Sequence, residues 1–314
     1  MQICQHPACL DYLWFFLYYC PVLPEPKSKM AASIRTTGSY FLRQTRRIIT
    51  CRNRNIRAAS SLVNVEHHSD GYAIMTLSRK PVNSFSLEFL EEIHDTLEDL
   101  ESNTDCRGLI VTSSMPKVFS AGLDLVKELY KSDEKRLFVF WRRFQDVWMQ
   151  LYGSRLATVA AVNGHAVAGG CLLAAACDYR LMAANFTIGM NETIVGIAMP
   201  FWISQNIVNL VGTSTGERIC ALGTMLSAEA AQKIGLVDHV VPQEKLMAEA
   251  QIEINKWLLV PESGRALTKQ VLRRDLIQRL HSLKDEDAKN FAKYILQDNT
   301  QKLLEQQIKK MTKK

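Results

Sequence analysis

Two short segments, Gly108-Leu109-Ile110-Val111-Thr112 and Thr158-Val159-Ala160-Ala161-Val162, are apolar or small at nearly every position. A strand with no alternating polar positions has no face to offer water, so it is stable only when covered on both sides. Each adjoins a stretch with helical character. Phe89, Leu90, Ile93, Leu97 and Leu100 keep helical spacing before the first, and Gly169 to Cys177 forms a small-residue helix after the second. Buried strands alternating with helices define a layered α/β arrangement.

The flanking sequence extends this pattern. Leu62–Glu66 alternates as a strand, Ser69-Asp70-Gly71 is a turn signal, and Tyr72–Leu77 reads as the second arm of a hairpin. Ser86 is placed to cap the helix that follows. Phe138–Leu151 reads as an aromatic-rich helix, and Asp178–Met182 and Thr187-Ile188-Gly189 as strands. From Phe201 the pattern is mostly helical, with a short strand at Leu236–Val241. No repeat or low-complexity linker interrupts residues 62–314. The economical division is an α/β core over 62–252 and a helical C-terminal region over 253–314.

Charge separates the start of the chain from the rest. Residues 1–60 hold nine Lys and Arg against only Asp11 and Glu25. Of the net charge of +6 they account for +7, and the remainder carries −1. A nearly neutral body gives no electrostatic footprint for nucleic acid or an anionic membrane. Residues 30–60 contain seven arginines, interleaved with Ile34, Phe41, Leu42, Ile48 and Ile49, and no acid. That is the composition of a mitochondrial transit peptide, or more plainly of a disordered basic arm. The apolar run Leu10–Tyr19 is too short to span a bilayer. Residues 1–29 therefore read as an upstream extension, 30–61 as the transit segment, and the destination as the mitochondrial matrix. The eight cysteines form no tight metal-type pair, and Cys171 and Cys177 lie in an apolar run, so a reducing compartment without disulfides is expected.

Three clusters carry the polar or small residues that chemistry needs. In Val118-Phe119-Ser120-Ala121-Gly122-Leu123-Asp124-Leu125, an apolar strand ends in small residues before a helix start, where N–H groups lack partners. A structural turn with Asp124 at a helix start explains the same residues. In Asn163-Gly164-His165-Ala166-Val167-Ala168-Gly169-Gly170-Cys171, a second buried strand enters a Gly-rich bend. Tight helix–strand packing is the plainer reading, and His165 reads as a loop histidine. In Ile188-Gly189-Met190-Asn191-Glu192-Thr193-Ile194-Val195-Gly196-Ile197 a lone acid sits among apolar residues. It is either an exposed loop glutamate or, if buried, a proton shuttle whose pKa is raised by desolvation.

The order of these clusters resembles the crotonase superfamily, the hydratase/isomerase family, over about residues 62–314. Ala121–Leu125 matches its first oxyanion segment, Ala168-Gly169-Gly170-Cys171 its second, and Asn191-Glu192 the region of its second acid. The resemblance implies an α/β spiral of ββα units with a helical C-terminal region, and an acyl-CoA as partner. The N–H groups of Leu123 and Gly169 would bind the thioester oxygen, and Glu192 would be the catalytic base. Ala121, Gly122, Asp124, Leu125 and Asn191 would complete the substrate site. One oxyanion donor is worth on the order of 3 kcal/mol of barrier. The family implies no metal or redox cofactor, coenzyme A being part of the substrate, and usually forms homotrimers, sometimes paired into hexamers.

Hydratases of this family place a first glutamate directly after Gly-Gly-Cys, where this chain has Leu172. One acid without an ordered water suits an isomerase that moves a proton from C2 to C4 of a 3-enoyl-CoA, as in β-oxidation of unsaturated acyl chains. Asn191 stands where many members have Pro. Phe201-Trp202 would either line the acyl pocket or begin a buried helix. A hydratase, a thioester hydrolase or a non-catalytic CoA-binding scaffold remain as alternatives. N-terminal sequencing of the precursor is expected to find Met30 at the start of the major product; Met1 there would contradict the reading of residues 1–29.

Overall fold

The computed structural model describes residues 61–312, so the expectations for the leader lie outside the described residues. In chain order the elements are β1 (Val63–His68), β2 (Tyr72–Leu77), α1 (Leu87–Ser102), β3 (Gly108–Ser113), β4 (Val118–Ser120), α2 (Glu134–Tyr152), β5 (Ala157–Val162), β6 (His165–Val167), α3 (Gly169–Ala176), β7 (Tyr179–Ala183), β8 (Thr187–Gly189), α4 (Phe201–Val211), α5 (Thr213–Leu222), β9 (Met225–Ser227), α6 (Ala228–Lys233), β10 (His239–Val241), α7 (Leu246–Leu258), α8 (Glu262–Ile295) and α9 (Asp298–Thr312). A π-helical turn, Leu125–Leu129, follows β4, and a 3-10 turn, Glu192–Val195, follows β8.

The strands form two sheets, one of six in the order β1-β2-β3-β5-β7-β10 and one of four in the order β4-β6-β8-β9. Three times the chain lays one strand in the larger sheet, the next in the smaller, and then turns into helix: β3-β4-α2, β5-β6-α3 and β7-β8-α4. This is the expected ββα spiral. From β2 to β10 the larger sheet is parallel, and β1 pairs antiparallel with β2 at its edge. Strands β3 and β5 are buried throughout, as their predominantly apolar and small residues require.

Local signals explain the helices. The Ser86 side chain accepts from Phe89 N at 3.4 Å and caps α1. Phe89, Leu90, Ile93, Leu97 and Leu100 are all buried by that helix. Each such burial contributes roughly 1.5–3 kcal/mol. Helix α2 begins four residues before the expected Phe138, because the Asp133 side chain caps it by accepting from Arg136 N at 2.9 Å. The strand expected at 236–241 is confined to β10; Leu236 and Val237 instead donate their N–H groups to Ala231 O. The division at 252/253 falls inside α7.

The helical C-terminal region packs onto the core. Phe291 of α8 stacks on Trp141 of α2 with ring centroids 3.6 Å apart. Asp287 Oδ2 accepts from the indole N–H of Trp141 at 2.7 Å and of Trp202 at 3.2 Å, supplying the partners that buried indoles need. Asp178, just before β7, holds Lys269 at 2.8 Å and Arg273 at 3.0 Å. Leu276, Leu280, Phe291, Ile295 and Leu304 are buried as their spacing implies, but Leu272 is 79% exposed. None of the helices among the described residues is long and apolar enough to cross a membrane.

The end of β4 presses against the start of α3. A Cβ added to Gly170 would lie 2.5 Å from the Ser120 carbonyl oxygen. Backbone cannot retreat as a flexible side chain can, so this approach requires glycine. Gly170→Ala is expected to destabilise the protein by about 2 kcal/mol or more, an overpacking cost. Chemical denaturation checks this, and wild-type stability would contradict it.

Candidate active site

Three chain segments converge at the ends of the small sheet. The first leaves β4 at Ala121, whose N–H donates to Val82 O at 3.0 Å. Gly122 has φ +82°, a conformation that favours glycine. Phe85 then forms a parallel bridge with Leu123, with Phe85 N donating to Gly122 O at 2.7 Å and Asp124 N to Phe85 O at 3.0 Å. Successive N–H groups of extended chain point to opposite sides, so Leu123 N–H is turned away from Phe85. The helix expected after Asp124 is only the π-helical turn, capped by Asp124 Oδ1 accepting from Lys127 N at 3.0 Å.

The second segment leaves β6 through Ala168, a non-glycine residue at φ 53° and ψ −119°. Its N–H donates to Gly189 O at 2.8 Å, which ties the strained residue to β8. Such a conformation costs on the order of 1–3 kcal/mol and persists only where its surroundings hold it. It aims the start of α3, so that Gly169 N–H sits in a first turn with no intrahelical acceptor. The segments touch: a Cβ on Gly122 would lie 3.0 Å from Gly169 N. Phe85 and Phe144 pack behind Gly169, 3.2 and 3.3 Å from where its Cβ would stand.

The third segment follows β8. Glu192 opens its 3-10 turn, which Gly196 closes at φ +76°. Glu192 is 8% exposed, and its Oε2 has no hydrogen-bond partner. Burial pushes its carboxyl up to about 7, opposed only by its own backbone N–H. This is the buried alternative of the sequence reading, and desolvation is its cause. Buried Cys171 and Cys220 lie near enough to feel its charge; burial first and Glu192 second push Cys220 up to about 11.

These segments enclose a cavity of about 230 Å³. Ala121, Leu123, Asp124, Leu125, Asn191 and Glu192 line it, whereas Gly122 and Gly169, expected in the site, are not among its lining residues. Val82, Val167, Val195 and Ile197 supply apolar wall; the sequence reading assigned none of them a role in the site. Gln307 and Met311 of α9 close one side, so the C-terminal helix covers the site of its own chain. Gln301 anchors that helix by accepting from Lys131 N at 2.9 Å and donating to Leu129 O at 3.1 Å.

Other singled-out residues lie elsewhere. His165 Nδ1 accepts from Thr187 N at 3.2 Å, and the ring is outside the cavity lining. Trp202 is wholly buried in the aromatic core, so Phe201-Trp202 begin a packed helix and do not line this cavity. Leu172 is 1% exposed within the core. Asp124 is the other carboxylate of the cavity, and it is paired with Arg79 at 2.7 Å. Larger clefts of about 710 and 520 Å³ run along α8, but the one acid in the second, Asp178, is held by Lys269 and Arg273. His94, Asp95 and Glu98 of α1 bring ligand-type atoms within 4.8 Å of one another, and none of them lines the active-site cavity.

The site is thus a small cavity holding one desolvated carboxylate, set beside two close-packed glycine-containing backbone segments on a spiral of ββα units. A family model, enoyl-CoA hydratase/isomerase, matches residues 67–312, and the chain belongs to this family. It is 41% identical over 261 residues to enoyl-CoA delta isomerase 1, mitochondrial, of Rattus norvegicus, covering 82% of this chain and 90% of that one. The crystal structure of human mitochondrial delta3-delta2-enoyl-CoA isomerase superposes with a TM-score of 0.79 at 40% identity, covering 80% of this chain and 98% of that one. A short-chain-enoyl-CoA hydratase of Clostridium acetobutylicum is 28% identical over 207 residues, 65% of this chain and 78% of that one.

The raised Glu192 carboxyl has a consequence for stability. A folded pKa above the unfolded value means that folding binds a proton between about pH 4.5 and 7, so stability falls as pH rises through that window. Glu192→Gln removes the penalty. The variant is expected to be more stable than wild type by on the order of 3 kcal/mol at pH 8, with the advantage fading toward pH 5. Urea denaturation at both pH values checks this; a pH-independent difference would contradict it.

Proposed function

We propose that this chain is a delta3-delta2-enoyl-CoA isomerase that converts 3-cis- or 3-trans-enoyl-CoA to 2-trans-enoyl-CoA in the β-oxidation of unsaturated fatty acids. The observation that carries this reading is that Glu192 is the one carboxylate of the cavity with no cation paired to it and with an unbonded oxygen, Oε2. Hydration needs a second acid to hold and activate water, and Leu172 occupies the place where the family's hydratases carry it. The isomerase relatives support the same conclusion.

The mechanism follows from the site. The thioester oxygen accepts from Leu123 N–H and Gly169 N–H. Glu192, with its carboxyl near 7, is substantially ionised at neutral pH and removes a proton from C2. The electron pair moves into a dienolate whose negative charge gathers on the thioester oxygen, where preorganised donors act most strongly. The protonated Glu192 then returns the proton to C4, and the double bond comes to rest between C2 and C3. Ala121, Gly122 and Leu125 shape the backbone path of the thioester, and Asn191 contacts substrate beside the carboxylate. Coenzyme A enters as part of the substrate, and the chemistry needs no metal or redox cofactor.

The relatives' names support a mitochondrial location. We place the protein in the matrix, delivered by residues 30–61. The exposed Leu259, Leu267, Val271 and Leu272 support self-association, which we read as a homotrimer.

With trans-3-enoyl-CoA, the purified protein is expected to form 2-enoyl-CoA, and Glu192→Gln to lower kcat by about 10²–10⁴-fold while staying folded. A coupled spectrophotometric assay measures both. An inactive wild type on short, medium and long chains, or an equally active variant, would overturn the reading.

A further inference from the structure

Asp124 sets an electrostatic problem for the reaction proposed above. It follows Leu123, whose N–H is to receive the enolate oxygen, and it lines the same cavity. A bare carboxylate there would repel the charge that develops in the transition state. The structure answers with Arg79, from the loop after β2. Its Nη2 donates to Asp124 Oδ2 at 2.7 Å, and its Nη1 donates to the Ser84 carbonyl oxygen and to Ser84 Oγ, both at 2.6 Å. Both members of the ion pair are mostly buried, at 16% and 15% side-chain exposure, so solvent screens them little. The other cations nearby are engaged elsewhere: Lys127 with Glu88, and Arg136 with Glu88 and Glu128.

The same contacts fix geometry. Ser84 precedes Phe85, whose N–H and carbonyl hold Gly122 and Asp124 on either side of Leu123. Arg79 therefore joins the two strands of the Phe85–Leu123 bridge from outside. A planar guanidinium with several fixed donors suits this clamp better than a lysine ammonium would.

We propose that Arg79 is a positioning residue for the isomerisation: paired with Asp124, it holds Leu123 N–H in register and cancels the charge that would oppose the enolate. The proposal rests on the isomerase reading, and its test keeps the two separable. Wild type, Arg79→Gln, Arg79→Lys and Arg79→Gln/Asp124→Asn are compared with trans-3-enoyl-CoA, with thermal unfolding as a check on folding. Asn retains the capping acceptor for Lys127 N. In parallel, infrared spectra record the thioester carbonyl stretch of a saturated acyl-CoA, ¹³C-labelled at that carbonyl, bound to each variant.

Arg79→Gln is expected to lower kcat by roughly 10–100-fold, the scale of one uncompensated charge lining the cavity in which the enolate forms, with KM changed by less than about threefold. Its bound carbonyl stretch should move back toward the value in water. Arg79→Lys should keep kcat within about tenfold of wild type, and the double variant should turn over at least about fivefold faster than Arg79→Gln. Arg79→Gln with wild-type kcat and an unshifted carbonyl would overturn the proposal, as would a double variant no faster than the single one. A wild type that binds the acyl-CoA but does not isomerise would instead sink the isomerase reading, while the carbonyl stretch still reports whether Arg79 tunes the two donors.

Discussion

The contact between the Ser120 carbonyl and the Cα of Gly170 is the constraint on which the rest of the site depends. It presses the end of β4 against the first turn of α3. With Gly122, whose added Cβ would lie 3.0 Å from Gly169 N, it brings two backbone segments far apart in sequence to one small volume. Neither of the two N–H donors proposed for the thioester oxygen, those of Leu123 and Gly169, relies on a flexible side chain. Phe85 and Phe144 pack behind one, and the Phe85 bridge holds the other. Donors fixed in this way need no reorganisation when charge develops in front of them.

The second constraint is the pairing of charge around an apolar cavity. Two carboxylates reach it, and the fold treats them oppositely. Asp124 is tied to Arg79 and to Lys127 N, whereas Glu192 is buried with an unpartnered oxygen and held near 7 by desolvation. A group with that pKa gives up and takes back a proton at neutral pH with little cost either way. The α9 helix contributes Gln307 and Met311 to the lining of the cavity that holds Glu192.

Much of this was legible in the chain itself, for reasons that differ by element. Strands β3 and β5 announce themselves because a strand with almost no polar positions can only be interior, and α1 because Ser86 and a helical stripe agree. The three clusters mark the site because glycine and alanine permit backbone approaches that larger residues forbid. What was not legible depends on distant partners. The burial of Glu192, the role of Arg79 and the cover supplied by α9 arise from contacts across more than forty residues. The aromatic pair Phe201-Trp202 belongs to the core because Asp287, on α8, supplies the indole acceptor. The start of α2 was missed although the Asp133 cap was present in the sequence.

The central claim is that one carboxylate carries the proton from C2 to C4. It is tested most directly by single-turnover conversion of a 3-enoyl-CoA deuterated at C2, with the product's label located by NMR. A single buried shuttle predicts that a measurable fraction of the deuterium reappears at C4. Product with C4 hydrogen drawn entirely from solvent would contradict the account and require a second acid or a bound water in the reaction.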